Sequence, residues 1–411
     1  MRHRVRTARA APVVVAILIA AAFLLAARPA PAAAAQVPLT DKYIMAFLAC
    51  NTATSDCSNP QNHETYLAES NDSVSWSSVS GFRPYPGSVP DVTRRGNTVY
   101  LYNPGTLVRF HLDTGIEDAP ISVGLRFSNG TSATFVDPSL FLDASGTLHL
   151  FYLPGISGQD PAQCAVGQST CTKHIMSATE VAGSDGNSFL TDSGTRVDFS
   201  ISGCCFSDPA VFQGPNAYYL YVSEGQSVLA FESTSLTGRY SPVQGLSGGT
   251  LVPQGVGGVP AGYYDSSSGM YWTFVSQGST TAVIARASTS SISSPIRAAS
   301  FSTVLSGCNL PQLGCSYLVA SPGFHANSVG SATTSSRSSS TSTGSSQATS
   351  TSLSAPISLS VNSATTSSPS QQASAGQTPG LPVAELALVA VAVAVAIVLG
   401  AIRIRGRRPS G

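Results

Sequence analysis

The sequence predicts an all-β fold, and three observations carry that prediction. Between residues 36 and 327 there is no convincing amphipathic helix. Short runs rich in Val, Tyr, Phe, Thr and Leu are separated there by Gly, Pro, Asn, Asp and Ser. A two-strand template also recurs in this region at intervals near 50 residues, the period of propeller blades built from several strands each.

The N-terminus accounts for residues 1–35. Arg2, Arg4, Arg6 and Arg9 precede an apolar stretch from Ala11 to Ala27, and a Pro/Ala segment follows to Ala35. A basic head, an apolar stretch and a small-residue region in that order form a secretory signal peptide. Residues 36–327 are the expected folded part.

Four segments share the template, in which a Pro-centred start of one strand is followed by a turn and an aromatic second strand. They are Val89-Pro90-Asp91-Val92 with Thr98–Tyr102, Asp137-Pro138-Ser139-Leu140-Phe141 with Leu148–Tyr152, Asp208-Pro209-Ala210-Val211-Phe212 with Tyr218–Val222, and Val259-Pro260-Ala261-Gly262-Tyr263-Tyr264 with Met270–Phe274. The prolines lie 48, 71 and 51 residues apart. A fifth copy is split, with one strand from Tyr317–Ser321 near the end and others from Lys42–Leu48 and Thr65–Trp76 near the start. Pairing the two chain ends in one blade closes the ring without an exposed edge, so the expected fold is a five-bladed β-propeller.

Residues 328–380 are dominated by Ser and Thr and carry a single basic residue, Arg337. Such a segment buries too little apolar surface to fold and reads as a disordered stalk. Leu381 to Ile402 is an almost unbroken Ala/Val/Leu/Ile run, followed by Arg403, Arg405, Arg407 and Arg408. About 20 apolar residues span a bilayer, and the trailing arginines hold their end in the cytoplasm. The expected product is a single-pass cell-surface protein with its N-terminal domain outside, a transmembrane helix over 381–402 and a basic tail over 403–411.

The cysteines and sequons agree with an extracellular setting. Three pairs share one spacing, Cys50 with Cys57, Cys164 with Cys171 and Cys308 with Cys315, which predicts three local disulfides. Cys204 and Cys205 remain, adjacent to each other and three residues before Asp208, and a bond between them is favoured because extracellular thiols oxidise. Asn71 and Asn129 head N-glycosylation sequons. The six histidines form no metal-ligand spacing, so no metal site is read from them; no cofactor is expected, and an axial cation stays open.

Lys and Arg total 21, as do Asp and Glu, and charged residues make up only 10% of the chain. Setting aside nine arginines of the two ends and Glu385 leaves twelve basic against twenty acidic residues. An acidic exterior excludes a nucleic-acid partner and favours neutral or cationic ligands.

The Asp-Pro-x-(Val/Leu)-Phe start with its Tyr-rich second strand, together with Phe231-Glu232-Ser233-Thr234-Ser235-Leu236-Thr237-Gly238-Arg239-Tyr240, resembles the five-bladed propeller glycosidases, a group of arabinanases, xylosidases and invertases. The resemblance covers roughly residues 88–295. Ser70-Asn71-Asp72-Ser73-Val74-Ser75-Trp76 also resembles a sialidase Asp-box, with Val74 where that motif has Gly.

In a propeller the first strand of each blade lines the axis, so Asp137 and Asp208 face one end of it. Asp91, two residues later in its own copy, shares that strand face. Glycoside hydrolysis uses such carboxylates as acid and as base or nucleophile. The resemblance implies a general base at Asp91, a pKa-tuning carboxylate at Asp137 and the general acid's place at Asp208. It departs from the family pattern in having Asp208 where a Glu is usual and Val89 where an Asp is expected. Glu224 lies past the second strand, in a turn away from the funnel. Arg83, Tyr263 and Tyr264 are candidate sugar-binding residues, although core packing between blades is the commoner use for such tyrosines and a surface role for such an arginine. The expected partner is a carbohydrate or glycoconjugate, with glycoside hydrolysis or a non-catalytic glycan-binding, adhesion or surface-layer module as the two readings.

Overall fold

The computed structural model describes residues 41–155, 160–202, 204–278 and 281–327. The expected signal peptide, stalk, membrane helix and tail lie outside the described residues. Among the described residues no helix is long and apolar enough to cross a membrane.

Five sheets follow one another along the chain. In the first, Tyr317–Ala326 is the innermost strand and pairs with Tyr43–Asn51, which pairs in turn with Glu64–Ser70. The two ends of the folded part are thus joined in one sheet, as the split fifth repeat requires. The other innermost strands are Asp91–Arg95, Phe135–Leu142, Ser207–Gln213 and Gly258–Asp265. Each touches the innermost strand of the next sheet, and Tyr317–Ala326 touches Asp91–Arg95, so the five close a ring in a propeller-like arrangement.

The sequence forms strands here because alternate residues of each strand are apolar on both faces. In Tyr43–Asn51, Tyr43, Met45 and Phe47 pack toward Trp272, Phe274 and Leu305 of the fifth sheet. Ile44 and Ala46 face the other way, toward Val92, Val99 and Leu101 of the second. A strand buried on both sides reads as a continuous apolar run, and each fully buried large side chain contributes roughly 1.5–3 kcal/mol.

The two ends of the ring differ. All innermost strands start at one end, where Asp91 pairs with Tyr102, Ser207 with Ser223, Gly258 with Ser276 and Tyr317 with Asn51. The four disulfides, Cys50–Cys57, Cys164–Cys171, Cys204–Cys205 and Cys308–Cys315, all brace loops at this end. The opposite end is made of tight hairpins such as Arg95-Gly96-Asn97-Thr98, where Gly96 takes the left-handed conformation (φ 61°) that the turn needs. The folded part also begins and ends there. Asn327 donates its amide to the Lys42 carbonyl and its side chain to the Asp41 carbonyl.

Candidate functional site

A cavity opens on the axis at the disulfide-bearing end. It is lined by the Xaa-Pro steps of all five innermost strands, and it offers about 30 Å³ to a water-sized molecule. In each step the residue before proline has a positive φ: Val89 at 47°, Asp137 at 49°, Asp208 at 51°, Val259 at 47° and Ser321 at 55°. Non-glycine residues reach this region only when their surroundings impose it. Strand pairing slips at four of these steps, forming bulges at Val136/Ser139, Ser207/Ala210, Gly258/Ala261 and beside Ser321.

Side chains from the preceding sheet satisfy the amides that the bulges release. Asp208 donates its N–H to Asp137 Oδ2 at 3.3 Å, Val259 to Ser223 Oγ at 3.1 Å and Ser321 to Ser276 Oγ at 2.9 Å. A second set of latches lies one step deeper. Val211 donates to Ser139 Oγ at 3.0 Å, and Leu140 donates to Asp91 Oδ2 at 2.5 Å.

Asp91 therefore occupies the position of Ser139, the residue after proline, and not that of Asp137 and Asp208. The bulge breaks the two-residue period that places Asp91 with them in the sequence. Gly323, at the same position in the first sheet, has no room for a side chain. A Cβ there falls 2.5 Å from both Asp91 Cα and Asp91 Oδ1.

Asp91 and Asp208 line this cavity and Asp137 adjoins it through the Asp208 amide, and burial dominates the acidity of all three. It pushes Asp91 up to about 7, against the amide hydrogen bonds from Leu140 and Val92. Burial and then the facing charge of Asp208 hold Asp137 well above the usual carboxylate range. Asp208 is pushed up to about 6 by burial, against a hydrogen bond from Ser207 Oγ at 2.6 Å. The pair is proton-rich near neutrality, as acid–base chemistry requires. Farther along the axis Thr93 meets His325 at 3.3 Å, and burial lowers that imidazole to about 4, leaving it neutral.

No protein-family model and no curated relative matches the chain. Among solved structures, an endo-1,4-β-xylanase from Bacteroides thetaiotaomicron is similar at 14% identity over 58% of this chain and 81% of its own, with a TM-score of 0.37. The GH43_1 enzyme from Xanthomonas citri complexed with xylotriose shares 15% identity over 60% and 85%, with a TM-score of 0.35. An α-L-arabinanase from Cellvibrio cellulosa complexed with arabinohexaose shares 12% over 53% and 75%, with a TM-score of 0.34.

The remaining sequence candidates lie away from the cavity. Arg83 is exposed near the outer strands, and its amide donates to Glu117 Oε2 at 3.1 Å. Tyr263 packs among Tyr43, Trp272 and Phe324, where burial pushes its phenol up to about 12. Tyr264 packs on Tyr271 at a 4.8 Å centroid distance. Glu224 is half-buried in the turn after Tyr218–Ser223, at the same end of its sheet as Asp208, and burial raises its pKa above the usual carboxylate range.

The Asp-box segment is a turn at the opposite end. The Ser75 and Val74 amides hold Asp72 down to about 2, while Arg286, stacked on Trp272 at 4.9 Å, donates to Ser73 Oγ. Asn71 and Asn129 are both exposed. Ser139, Ser223, Ser276 and Gly323 were not singled out from the sequence. The repeated Xaa-Pro phase, extended to Ser321-Pro322, is the signal that marks them.

Proposed function

We propose that the chain is a cell-surface, five-bladed carbohydrate-active propeller that hydrolyses glycosidic bonds at its axial cavity. The observation that carries this reading is the Asp137–Asp208 pair, two carboxylates from neighbouring sheets joined through the Asp208 amide and held proton-rich by burial. With a proton kept between them, the protonated member serves the leaving oxygen as acid and the ionised member activates water. Asp91 holds the cavity wall through Leu140. Display at the surface is supported by the signal-like head, the four disulfides and the C-terminal apolar run.

The test is a panel of aryl-glycosides given to the full-length wild type and to Asp137→Asn, Asp208→Asn and Asp91→Asn. Loss of about 100-fold or more in kcat/KM for both members of the pair is expected. Wild-type rates in Asp137→Asn and Asp208→Asn overturn the reading.

The narrow axial space of about 30 Å³ favours a second reading, in which a sugar is bound at its edge without being cleaved. Saturable glycan binding that is lost in Asp208→Asn, with no glycoside of the panel hydrolysed, selects it.

A further inference from the structure

A second cavity of about 280 Å³ lies at the disulfide-bearing end, beside the Cys50–Cys57 loop. Its size is close to the lower limit of ligand clefts, about 300 Å³. Its walls include Asn51, Gln61, His63, Glu64, Pro86 and Tyr317. The loop is built to hold its shape: the disulfide closes it, Asn59 caps the short helix Pro60–Asn62, and Asn62 Nδ2 donates to the Asp56 carbonyl at 2.9 Å. His63 joins both ends of this frame, with one ring nitrogen 3.0 Å from the Cys57 carbonyl oxygen and the other 2.9 Å from Ser88 Oγ.

Three groups face the cavity: Gln61 and Glu64 are exposed, and Tyr317 also packs against the core. The Gln61 side-chain amide makes no hydrogen bond among the described residues, while its backbone N–H donates to Asn59 Oδ1 at 3.1 Å. Among the described residues the Glu64 carboxylate accepts a hydrogen bond only from the Tyr66 hydroxyl, at 3.0 Å. Tyr317 presents a half-buried ring. A planar amide and a carboxylate beside an aromatic ring suit vicinal hydroxyls above an apolar sugar face, and the Glu64 charge disfavours acidic sugars.

The cavity is also tethered to the axial one. Pro86 lies three residues from Val89 and Tyr317 four from Ser321, and both of those residues bound the axial cavity. At about 3.3 Å per residue these spans are roughly 10–13 Å, which an oligosaccharide bridges and a single sugar ring does not. We infer that the Cys50–Cys57 loop forms a second subsite for a neutral oligosaccharide whose other end lies at the mouth of the axial cavity, an inference that rests on the carbohydrate reading above.

The test is calorimetric titration of the full-length protein with neutral xylo-, arabino- and gluco-oligosaccharides of one to six units, paired with hydrogen exchange over residues 50–64. Wild type is expected to bind the longer members at least tenfold more tightly than monosaccharides and to slow exchange over 50–64. Gln61→Ala and Tyr317→Ala are expected to abolish that length dependence while keeping monosaccharide binding. Gln61 is exposed, so its variant tests the subsite even where Tyr317→Ala unfolds. Unchanged titrations in Gln61→Ala, or no saturable binding of any oligosaccharide, overturn the subsite. If Gln61→Ala weakens binding and Asp208→Asn does not, the subsite stands and the axial reading fails.

Discussion

Asp91 reaches across from the second sheet to accept the Leu140 amide of the third at 2.5 Å, and Gly323 leaves the space in which it does so. A residue that the sequence marks for catalysis is thereby a structural latch between blades. The first prediction concerns its removal. Asp91→Ala leaves a buried amide unpaired and should cost about 1–3 kcal/mol, whereas Asp91→Asn keeps an acceptor oxygen and should cost less. Urea unfolding monitored by tryptophan fluorescence measures both.

Gly323→Ala should be as damaging, because the added methyl meets the Asp91 backbone as well as its carboxylate. A loss of about 1–3 kcal/mol is expected from overpacking. An unchanged denaturation midpoint would show that the first and second sheets separate easily here.

Asp91 also makes stability depend on pH. Its carboxyl titrates near 7 when folded and about 3.9 when unfolded, so the folded state binds the proton more tightly. The resulting stabilisation is complete below about pH 4 and declines as pH rises to about 7, at no more than roughly 1.4 kcal/mol per pH unit for one group. Asp137 and Asp208 act in the same direction. Thermal melts across pH 4–8 should show a steeper decline in wild type than in Asp91→Asn.

If the axial pair performs hydrolysis, kcat/KM should rise as pH rises through about 6, where Asp208 loses its proton and becomes the ionised member, and should fall only when Asp137, held higher, ionises in turn. Asp208→Asn also removes the charge facing Asp137 and should lower the Asp137 titration toward the ordinary range. Carboxyl-detected NMR titration of the variant reads this directly, and an unmoved Asp137 contradicts the coupling.

The second and third sheets are joined by Arg95, which donates to both oxygens of Glu180 at 2.7 and 3.1 Å. The Glu180 side chain is only 6% exposed and also accepts the Gly186 and Leu148 amides. Glu180→Ala leaves the Gly186 and Leu148 amides unpaired, while the part-exposed Arg95 keeps Asp185, and should cost about 1–3 kcal/mol. A change under about 1 kcal/mol in denaturant unfolding would show that water replaces the carboxylate.

The residue pattern alone determined the strands, their two apolar faces and the Xaa-Pro repeat, because each depends on neighbours close in sequence, and the split fifth copy of that repeat marked the pairing of Tyr43–Asn51 with Tyr317–Ala326. The equal spacing of three cysteine pairs likewise identified their local disulfides. Only the tertiary structure decided which carboxylates meet and in what role. Asp91 and Leu140 are 49 residues apart, and Asp137 and Asp208 are 71. No local signal joins such residues; ring closure does. The bulge at each Xaa-Pro step then shifts one residue out of the two-residue period, separating Asp91 from the pair it matches in sequence. The same closure puts every disulfide at one end of the axis and both Tyr43 and Ala326 at the other, a polarity that follows from strand direction and appears only when all five sheets are assembled.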